Sequence, residues 1–101
     1  MIEAFEEITQ WQRKTFPNQT ALSATSHLVE EVDELLIDLI EGAKTNARQE
    51  IADCFILLCG IADKMDMDYH ELMFEVKTKM KINKARQWQA PDENGVIRHK
   101  K

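Results

Sequence analysis

The chain has 101 residues, of which 44% are hydrophobic and 31% are charged, a composition typical of one small, soluble globular domain. Its formal net charge of −5 argues against a protein that binds nucleic-acid polymers, because such domains are usually basic. The low content of glycine and proline, three and two residues respectively, favours a helical protein.

Helix one is predicted from Ile2 to about Phe16, where apolar side chains recur at helical spacing. Pro17 ends it, because the residue before a proline avoids the helical conformation. Trp11 belongs to the apolar spacing and is expected to lie in the core.

Helix two follows from about Thr20 to Glu41, with Asn18 or Thr20 as the capping residue and Gly42 as the stop.

Acidic side chains form a stripe along helix two. Because successive helical residues turn by about 100°, one group of acids shares a face and an apolar group occupies the adjoining face. The acidic stripe comprises Glu30, Glu31, Glu34 and Asp38, and His27 lies on it one turn before Glu31. Asp38 is interpreted as a solvated acid, and Asp33 falls off the stripe. Acidic stripes on amphipathic helices are usually solvated faces, so this pattern alone does not predict a site.

Helix three is predicted from about Ala47 to Lys64, with Asn46 and Gln49 resembling a capping box. The segment from Ile51 to Ala62 is apolar on nearly all sides, so we expect it to be buried within the domain or within an oligomer. It is too short to span a bilayer. No membrane partner is therefore predicted.

Glu50 and Asp53 lie three residues apart, so both project to one side of helix three. The short connection from Gly42 to Asn46 favours antiparallel packing of helices two and three. That packing would bring four or five carboxylates together at the edge of the core. Carboxylates so close repel one another unless a cation lies among them, and oxygen ligands favour Mg²⁺ or Mn²⁺.

Asp53 is the most informative single residue of this pattern. The helix dipole favours an acid such as Glu50 near a helix N-terminus, which is a sufficient structural explanation for it. Asp53 lies one turn further in, among apolar neighbours, where an unpaired carboxylate is costly. Its presence there favours a ligand role.

The two cysteines, Cys54 and Cys59, lie five residues apart on one helix and point to different sides, so no disulfide is expected. Free thiols of this kind are small hydrophobic residues and suit a reducing compartment. The N-terminus lacks the basic and apolar pattern of a signal peptide. The predicted location is the cytoplasm.

Helix four is predicted from Asp68 to about Gln87. It places Lys79, Asn83 and Arg86 on one face, because they lie at positions i, i+4 and i+7. Residues 88–101 form a less regular tail of the single predicted domain, 1–101, with a tight turn expected at Asn94-Gly95.

Three motifs together resemble the MazG-like, all-α nucleoside triphosphate pyrophosphohydrolases. They are Glu30-Glu31-x-x-Glu34, Glu50-x-x-Asp53 and Lys79-x-x-x-Asn83-x-x-Arg86. The His27-Leu28 lead-in and the segment from Arg86 to His99 resemble the phage-associated dATP/dGTP branch of that superfamily. The resemblance extends from about Trp11 to His99. It implies an all-α, four-helix MazG-like bundle that is completed by oligomerisation, as a homodimer or homotetramer.

The resemblance also implies roles for individual residues. The implied metal ligands are Glu31, Glu34, Glu50 and Asp53, with Mg²⁺ as the cofactor and Mn²⁺ as a substitute. Glu30 and Glu31 are the implied catalytic residues, and Glu30 accepts the proton of the attacking water or helps to bind the metal. The implied substrate-binding residues are Lys79, Asn83 and Arg86. Two further candidates for substrate contact are His27, from its place one turn before Glu31, and Trp11, by stacking on a base. The implied reaction is attack between the α and β phosphates of a nucleoside triphosphate, which yields the monophosphate and pyrophosphate.

Other functions fit parts of the pattern. A phosphoribosyl-ATP pyrophosphatase has a similar pair of acidic helices, although the segment from Trp88 to His99 favours the phage-like branch. A non-catalytic helical interaction protein that retains a metal site is a further alternative, which the complete set of acidic and basic motifs argues against. A di-iron carboxylate bundle requires Glu-x-x-His pairs, and the sequence contains none. The preferred base and sugar stay open.

Overall fold

The computed structural model describes residues 1–100, and four helices occupy most of that range. Helix α1 spans Ile2–Thr15, α2 spans Ala21–Glu41, α3 spans Lys44–Lys64 and α4 spans Tyr69–Ala85. The predicted all-α class with four main helices is confirmed. The chain divides into two compact units, Met1–Tyr69 and His70–Lys101, which are described separately. The single domain over residues 1–101 stays a prediction.

The buried face of helix α1 agrees only in part with the apolar spacing that the sequence predicted. Its buried residues are Phe5, Thr9 and Gln12, whereas Trp11 is 53% exposed. The assignment of Trp11 to the core is therefore wrong. The reason is the close approach of α1 to α3 at Gly60, where the amide of Gln12 occupies the space in which a Cβ would lie. This contact turns Trp11 to the rim, where its ring meets Phe16 edge-on at a centroid distance of 5.4 Å.

Helix α2 begins and ends as predicted. The Thr20 hydroxyl accepts a hydrogen bond from the Ser23 backbone at 3.0 Å, and the Ser23 hydroxyl accepts one from the Thr20 backbone. At the other end Gly42 adopts a left-handed conformation with φ of 72°, which glycine tolerates without a steric penalty. Both predicted signals, the Thr20 cap and the Gly42 stop, are confirmed.

Helix α3 begins at Lys44, three residues earlier than predicted, and its N-cap Ala43 makes no side-chain hydrogen bond. The predicted cap at Asn46 is wrong, because the chain reverses within Gly42 and Ala43. The backbone amide of Ala43 closes the end of α2 by donating to the Asp38 carbonyl at 2.8 Å. With only two residues between them, α2 and α3 run antiparallel and in contact along the first unit.

The core of the first unit is built mainly from small side chains. The buried apolar residues are Phe5, Ala24, Ala47, Leu57, Cys59 and Ala62. Large apolar side chains of α3 such as Ile51 and Leu58 stay more than half exposed. The expectation that this helix is enclosed on all sides is thus not met within one chain. Both cysteines are free, as predicted.

Beyond α4 the second unit ends in a short hairpin. Trp88 and His99 form an antiparallel bridge, and Gly95 turns the chain with φ of 79°. The carboxylate of Asp92 holds the turn, since it accepts hydrogen bonds from the backbone amides of Asn94 and Val96, both at 2.9 Å. The tight turn predicted at Asn94-Gly95 is confirmed.

Within residues 1–100 no helix combines the length and the apolar character needed to cross a bilayer. The cytoplasmic location stays a prediction.

Candidate active site

Three of the predicted carboxylates converge in the first unit. Glu31 of α2 and Glu50 and Asp53 of α3 each present an oxygen, and these oxygens lie within 4.8 Å of one another. The convergence follows from the antiparallel α2–α3 pair and from the three-residue spacing on α3. We call these three residues the carboxylate cluster.

The cluster has a strong influence on the protonation of its own members. Contact with Glu31, followed by burial and the charges of Glu31, Glu34 and Asp53, raises the pKa of Glu50 to about 7. The hydrogen bond from Glu50 lowers the pKa of Glu31, and His27 lowers it further. In the metal-free protein the two carboxylates therefore share one proton below about pH 7 and lose it above that pH.

Glu50, and not Asp53, is the enclosed member of the cluster. Asp53 is exposed, whereas Glu50 Oε2 is buried and has no hydrogen-bond partner among the described residues. The helix dipole, which acts on the first turn, does not explain Glu50. Helix α3 begins at Lys44, so Glu50 lies beyond its first turn. The expectation that Asp53 is the costly buried acid is corrected accordingly.

The donor set fits a hard divalent cation. A buried carboxylate oxygen without a partner is costly, and a cation would satisfy it while relieving the repulsion between the acids. The cluster offers only oxygen ligands, which Mg²⁺ and Mn²⁺ prefer. Glu31, Glu50 and Asp53 are thus suited to hold such an ion.

The other acids of the predicted stripe on α2 are Glu30, Glu34 and Asp38. Glu34, one turn after Glu31, is exposed and shares a cleft of about 280 Å³ with Glu50 and Asp38. Asp38, predicted to be a solvated acid, is half-buried in this cleft. Glu30 is exposed and lies outside the linings of this cleft and the next one. Its predicted catalytic role and the ligand role of Glu34 stay predictions.

A second cleft, of about 300 Å³, lies against the other side of the cluster. We call it the aromatic cleft; its lining residues are Trp11, Gln12, Phe16, Gln19, His27, Glu31, Asp53, Ile56 and Leu57. It brings the two predicted substrate residues of the first unit, Trp11 and His27, next to two acids of the cluster. The imidazole Nε2 of His27 lies 3.0 Å from Glu31 Oε1.

Gln12, Phe16 and Gln19 are cleft residues that the sequence analysis missed. Gln12 had a detectable signal, because it follows Phe5 by seven residues and therefore shares its buried face. A polar residue on a buried face is unusual and indicates a special role. Phe16 and Gln19 had no such signal, since their placement depends on how the chain turns at Pro17.

The predicted phosphate-binding residues lie in the second unit. Arg86 Nη1 donates to Asn83 Oδ1 at 3.5 Å, and the indole of Trp88 donates to the Asn83 carbonyl at 3.0 Å. Lys79 is exposed on the same helix, while Asn83 and Arg86 are half-buried. The structure thus brings Asn83 and Arg86 together, and the roles of all three in binding phosphate stay predictions.

Comparison with known proteins agrees with this geometry. Residues 4–101 match the model of the dATP/dGTP pyrophosphohydrolase family. The chain belongs to that family. It is accordingly a hydrolase that acts on the phosphoanhydride bonds of nucleotides, as the sequence motifs predicted.

Matches to cyanophage S-2L, one in sequence and one in structure, illustrate the family. The dATP/dGTP diphosphohydrolase of that phage is 31% identical over 93 residues, which cover 92% of this chain and 81% of the relative. A solved structure of a MazG-like pyrophosphohydrolase from the same phage contains dGDP and three catalytic Mn²⁺ ions per active site. That structure aligns with the present chain at a TM-score of 0.77 and 26% sequence identity. The alignment covers 100% of this chain and 98% of the phage protein's chain. The predicted MazG-like fold is confirmed, and the predicted Mg²⁺ cofactor with Mn²⁺ as a substitute agrees with the ions bound by that relative.

Proposed function

We propose that this family member hydrolyses deoxynucleoside triphosphates, dATP and dGTP in particular, to the monophosphate and pyrophosphate. The observation that carries the proposal is the carboxylate cluster at the wall of the aromatic cleft. One cavity thereby offers both oxygen ligands for a cation and aromatic surface for a base. The names of the family and of the cyanophage relative support the choice of purine deoxynucleotides.

In this proposal Glu31, Glu34, Glu50 and Asp53 hold Mg²⁺, for which Mn²⁺ substitutes. A divalent ion bound there neutralises phosphate charge and lowers the pKa of a water molecule. Glu30, on the same helical stripe, accepts the proton of the attacking water or contributes to binding the metal, while Glu31 is the second catalytic carboxylate.

The aromatic cleft binds the nucleoside part of the substrate. Trp11 exposes more than half of its surface at the rim, where stacking on a base would bury its ring. His27 lines the same cleft, where its imidazole contacts Glu31, and in this proposal it contacts the substrate. This arrangement supports the two substrate contacts that the sequence predicted in the first unit.

The phosphates require positive charge, which we assign to the second unit. Arg86 has a planar fork that binds two oxygens at once, and Lys79 supplies a mobile point charge. Asn83, which accepts a hydrogen bond from Arg86, can both donate and accept and therefore suits a sugar hydroxyl or a phosphate.

We further propose that the enzyme is a homodimer or a homotetramer. Its exposed large apolar side chains on α2 and α3 include Val32, Leu36, Leu39, Ile51, Phe55 and Leu58. A small monomer that exposes this much apolar surface is stabilised by burying it against another copy. Light scattering at tens of micromolar protein tests this, and a monomeric mass would contradict it.

A nucleotide panel tests the activity itself. All canonical NTPs and dNTPs are incubated with the protein and Mg²⁺ or Mn²⁺, and pyrophosphate release is measured. We expect release from dATP and dGTP above the other nucleotides, and none with the Glu50→Gln variant. Metal binding without release from any nucleotide would instead support the non-catalytic alternative. Phosphoribosyl-ATP is tested beside the panel, and pyrophosphate release from it but from no NTP or dNTP would support the phosphoribosyl-ATP pyrophosphatase.

A further inference from the structure

An ion pair joins the last turn of α1 to the last turn of α3. The guanidinium of Arg13 donates to the carboxylate of Asp63 through two nitrogens: Nε donates to Oδ2 at 3.0 Å, and Nη2 donates to Oδ1. The side chain of Asp63 is only 11% exposed. A two-point contact between a planar guanidinium and a carboxylate fixes direction as well as distance. The pair therefore limits how far this end of α1 can turn about the helix axis.

The residue before Arg13 makes a second contact with α3. Gln12 Nε2 donates to the Ile56 carbonyl at 3.0 Å, and the amide fills the space beside Gly60, where a Cβ would lie 2.6 Å from Oε1. Because Gln12 and Arg13 are consecutive, their side chains leave the helix about 100° apart. Two contacts in different directions fix a rotation that one contact alone leaves free. We call the contacts of Gln12 and of Arg13 with α3 the α1 anchor.

The anchored rotation opposes the hydrophobic preference of α1. Thr9 and Gln12 are buried, whereas Ile8 is only half-buried and Trp11 is exposed. A groove of about 300 Å³ has Ile8 and Trp11 on one side and Ile56 of α3 on the other. Turning α1 towards this groove would bury more of Trp11 and would release Gln12, whose Oε1 has no hydrogen-bond partner within residues 1–100. Such exceptions to hydrophobic packing are expected at functional sites.

We propose that Arg13 and Gln12 are positioning residues that hold the Trp11 ring at the rim of the aromatic cleft, an inference that rests on the proposed function. They act through the place of that ring. The Phe16 ring depends on the same anchor, because the Phe16 amide donates to the Gln12 carbonyl at 2.8 Å and the ring meets Trp11 edge-on. The α1 anchor thus keeps an aromatic surface free for the base, at a cost in hydrophobic burial.

A double-mutant cycle with dATP as substrate tests the inference. Arg13→Gln should raise KM towards the increase of about tenfold expected for loss of stacking in Trp11→Ala, while kcat changes less. In the Trp11→Ala background, Arg13→Gln should raise KM no further, because the ring through which Arg13 acts is absent. Gln12→Met should behave in the same way in both backgrounds. Arg13→Gln should melt close to the wild type, since the guanidinium is exposed.

Lys14→Gln is the matched control, because Lys14 is exposed in the same turn of α1 and carries the same charge. It should leave KM unchanged, which separates positioning from a general attraction of the substrate by a basic helix end. Three results would overturn the inference: an equal rise in KM for Arg13→Gln with and without Trp11, no rise in either background, or an equal rise for Lys14→Gln.

A spectroscopic measurement tests the place of the ring without relying on activity. The protein is labelled with fluorotryptophan, and the fluorine resonance of Trp11 is assigned with Trp11→Phe. Arg13→Gln should shift this resonance, whereas Lys14→Gln should not. An unshifted resonance in Arg13→Gln would show that the ring keeps its place without the anchor, which overturns the inference. Absence of hydrolysis by the wild type would instead count against the proposed function, which is a different result.

Discussion

The two walls of the aromatic cleft are built in different ways. The acidic wall consists of charged side chains set at fixed intervals along α2 and α3, with Glu31 and Asp53 at the cleft itself. The aromatic wall, from α1 and the turn after it, includes Trp11, Gln12 and Phe16. The difference shows that chemistry which depends on spacing within a helix is visible in sequence, whereas a pocket wall depends on how helices meet.

The largest expected effect comes from breaking the acidic wall at Asp53. Asp53→Asn removes a charge that would hold the cation. It should lower activity with every nucleotide by more than about 100-fold, because losing a residue that only supports a metal ligand already costs up to about 100-fold. The metal-free variant should be no less stable than the metal-free wild type, because it loses one of several repelling carboxylates.

Thermal melts with and without Mg²⁺ check this prediction. Mg²⁺ at a hundredfold excess over Kd should stabilise the wild type by about 2.7 kcal/mol, and this increment should shrink or vanish in Asp53→Asn. Asp33→Asn, on an exposed acid away from the cluster, is the matched control. A metal-free Asp53→Asn variant much less stable than wild type, with no Mg²⁺ effect on either protein, would contradict a metal site.

The second prediction concerns the positive charge that binds the phosphates. Neither cleft has a Lys or an Arg among the described residues that line it. Arg86→Ala should lower kcat/KM by about tenfold to a hundredfold, the value of a hydrogen bond to a charged group, and Lys79→Ala by less. Stability should change by about 0.5 kcal/mol or less for the exposed Lys79. Melting temperatures reduced by many degrees in both variants would show a structural role instead. Lys77→Ala, also exposed on α4, is the control.

The third prediction tests the aromatic wall. Trp11→Ala should raise KM by about tenfold, since stacking on a base contributes about 1–3 kcal/mol, while kcat changes less. Because Trp11 is 53% exposed, the variant should melt close to the wild type. Kinetics with dATP and dGTP measure both constants. A strong loss of kcat with unchanged KM would place Trp11 outside the base site.

Much of the fold and the acidic wall could be predicted from sequence for a physical reason. Helix periodicity places Glu50 and Asp53 on one side, and the Gly42 stop brings α3 back beside Glu31. Helix ends were less certain, because the start of α3 at Lys44 depends on backbone hydrogen bonds across Gly42 and Ala43.

The aromatic wall could not be predicted, because it depends on the rotation of α1 against α3. The sequence spacing assigned Trp11 to the core, yet the contact between Gln12 and Gly60 rotates α1 and exposes Trp11. That contact joins residues 48 positions apart in the chain, so no local pattern reveals it. The same limit applies to Glu50, because the neighbour that raises its pKa is Glu31 of α2.

A pH dependence separates the acidic wall from the aromatic one. Glu31 and burial raise the pKa of Glu50 from 4.5 to about 7, so the folded, metal-free protein binds this proton more tightly than the unfolded chain does. The contribution of Glu50 to stability is therefore present below pH 4.5 and is lost as pH rises towards 7. Glu31, whose pKa is lowered, contributes in the opposite sense: its stabilisation is present above its ordinary value and is lost in acid.

A cation bound at the cluster would displace the shared proton. The affinity for metal should therefore rise by up to about tenfold for each unit that the pH increases towards 7, and it should level off above pH 7. Calorimetry in buffers of different ionisation enthalpy measures the proton released on Mg²⁺ binding. In Glu50→Gln this release should disappear, whereas Trp11→Ala should retain it, because the aromatic residue does not contact the shared proton. Equal proton release by wild type and Glu50→Gln would show that the ion binds elsewhere than between Glu31 and Glu50.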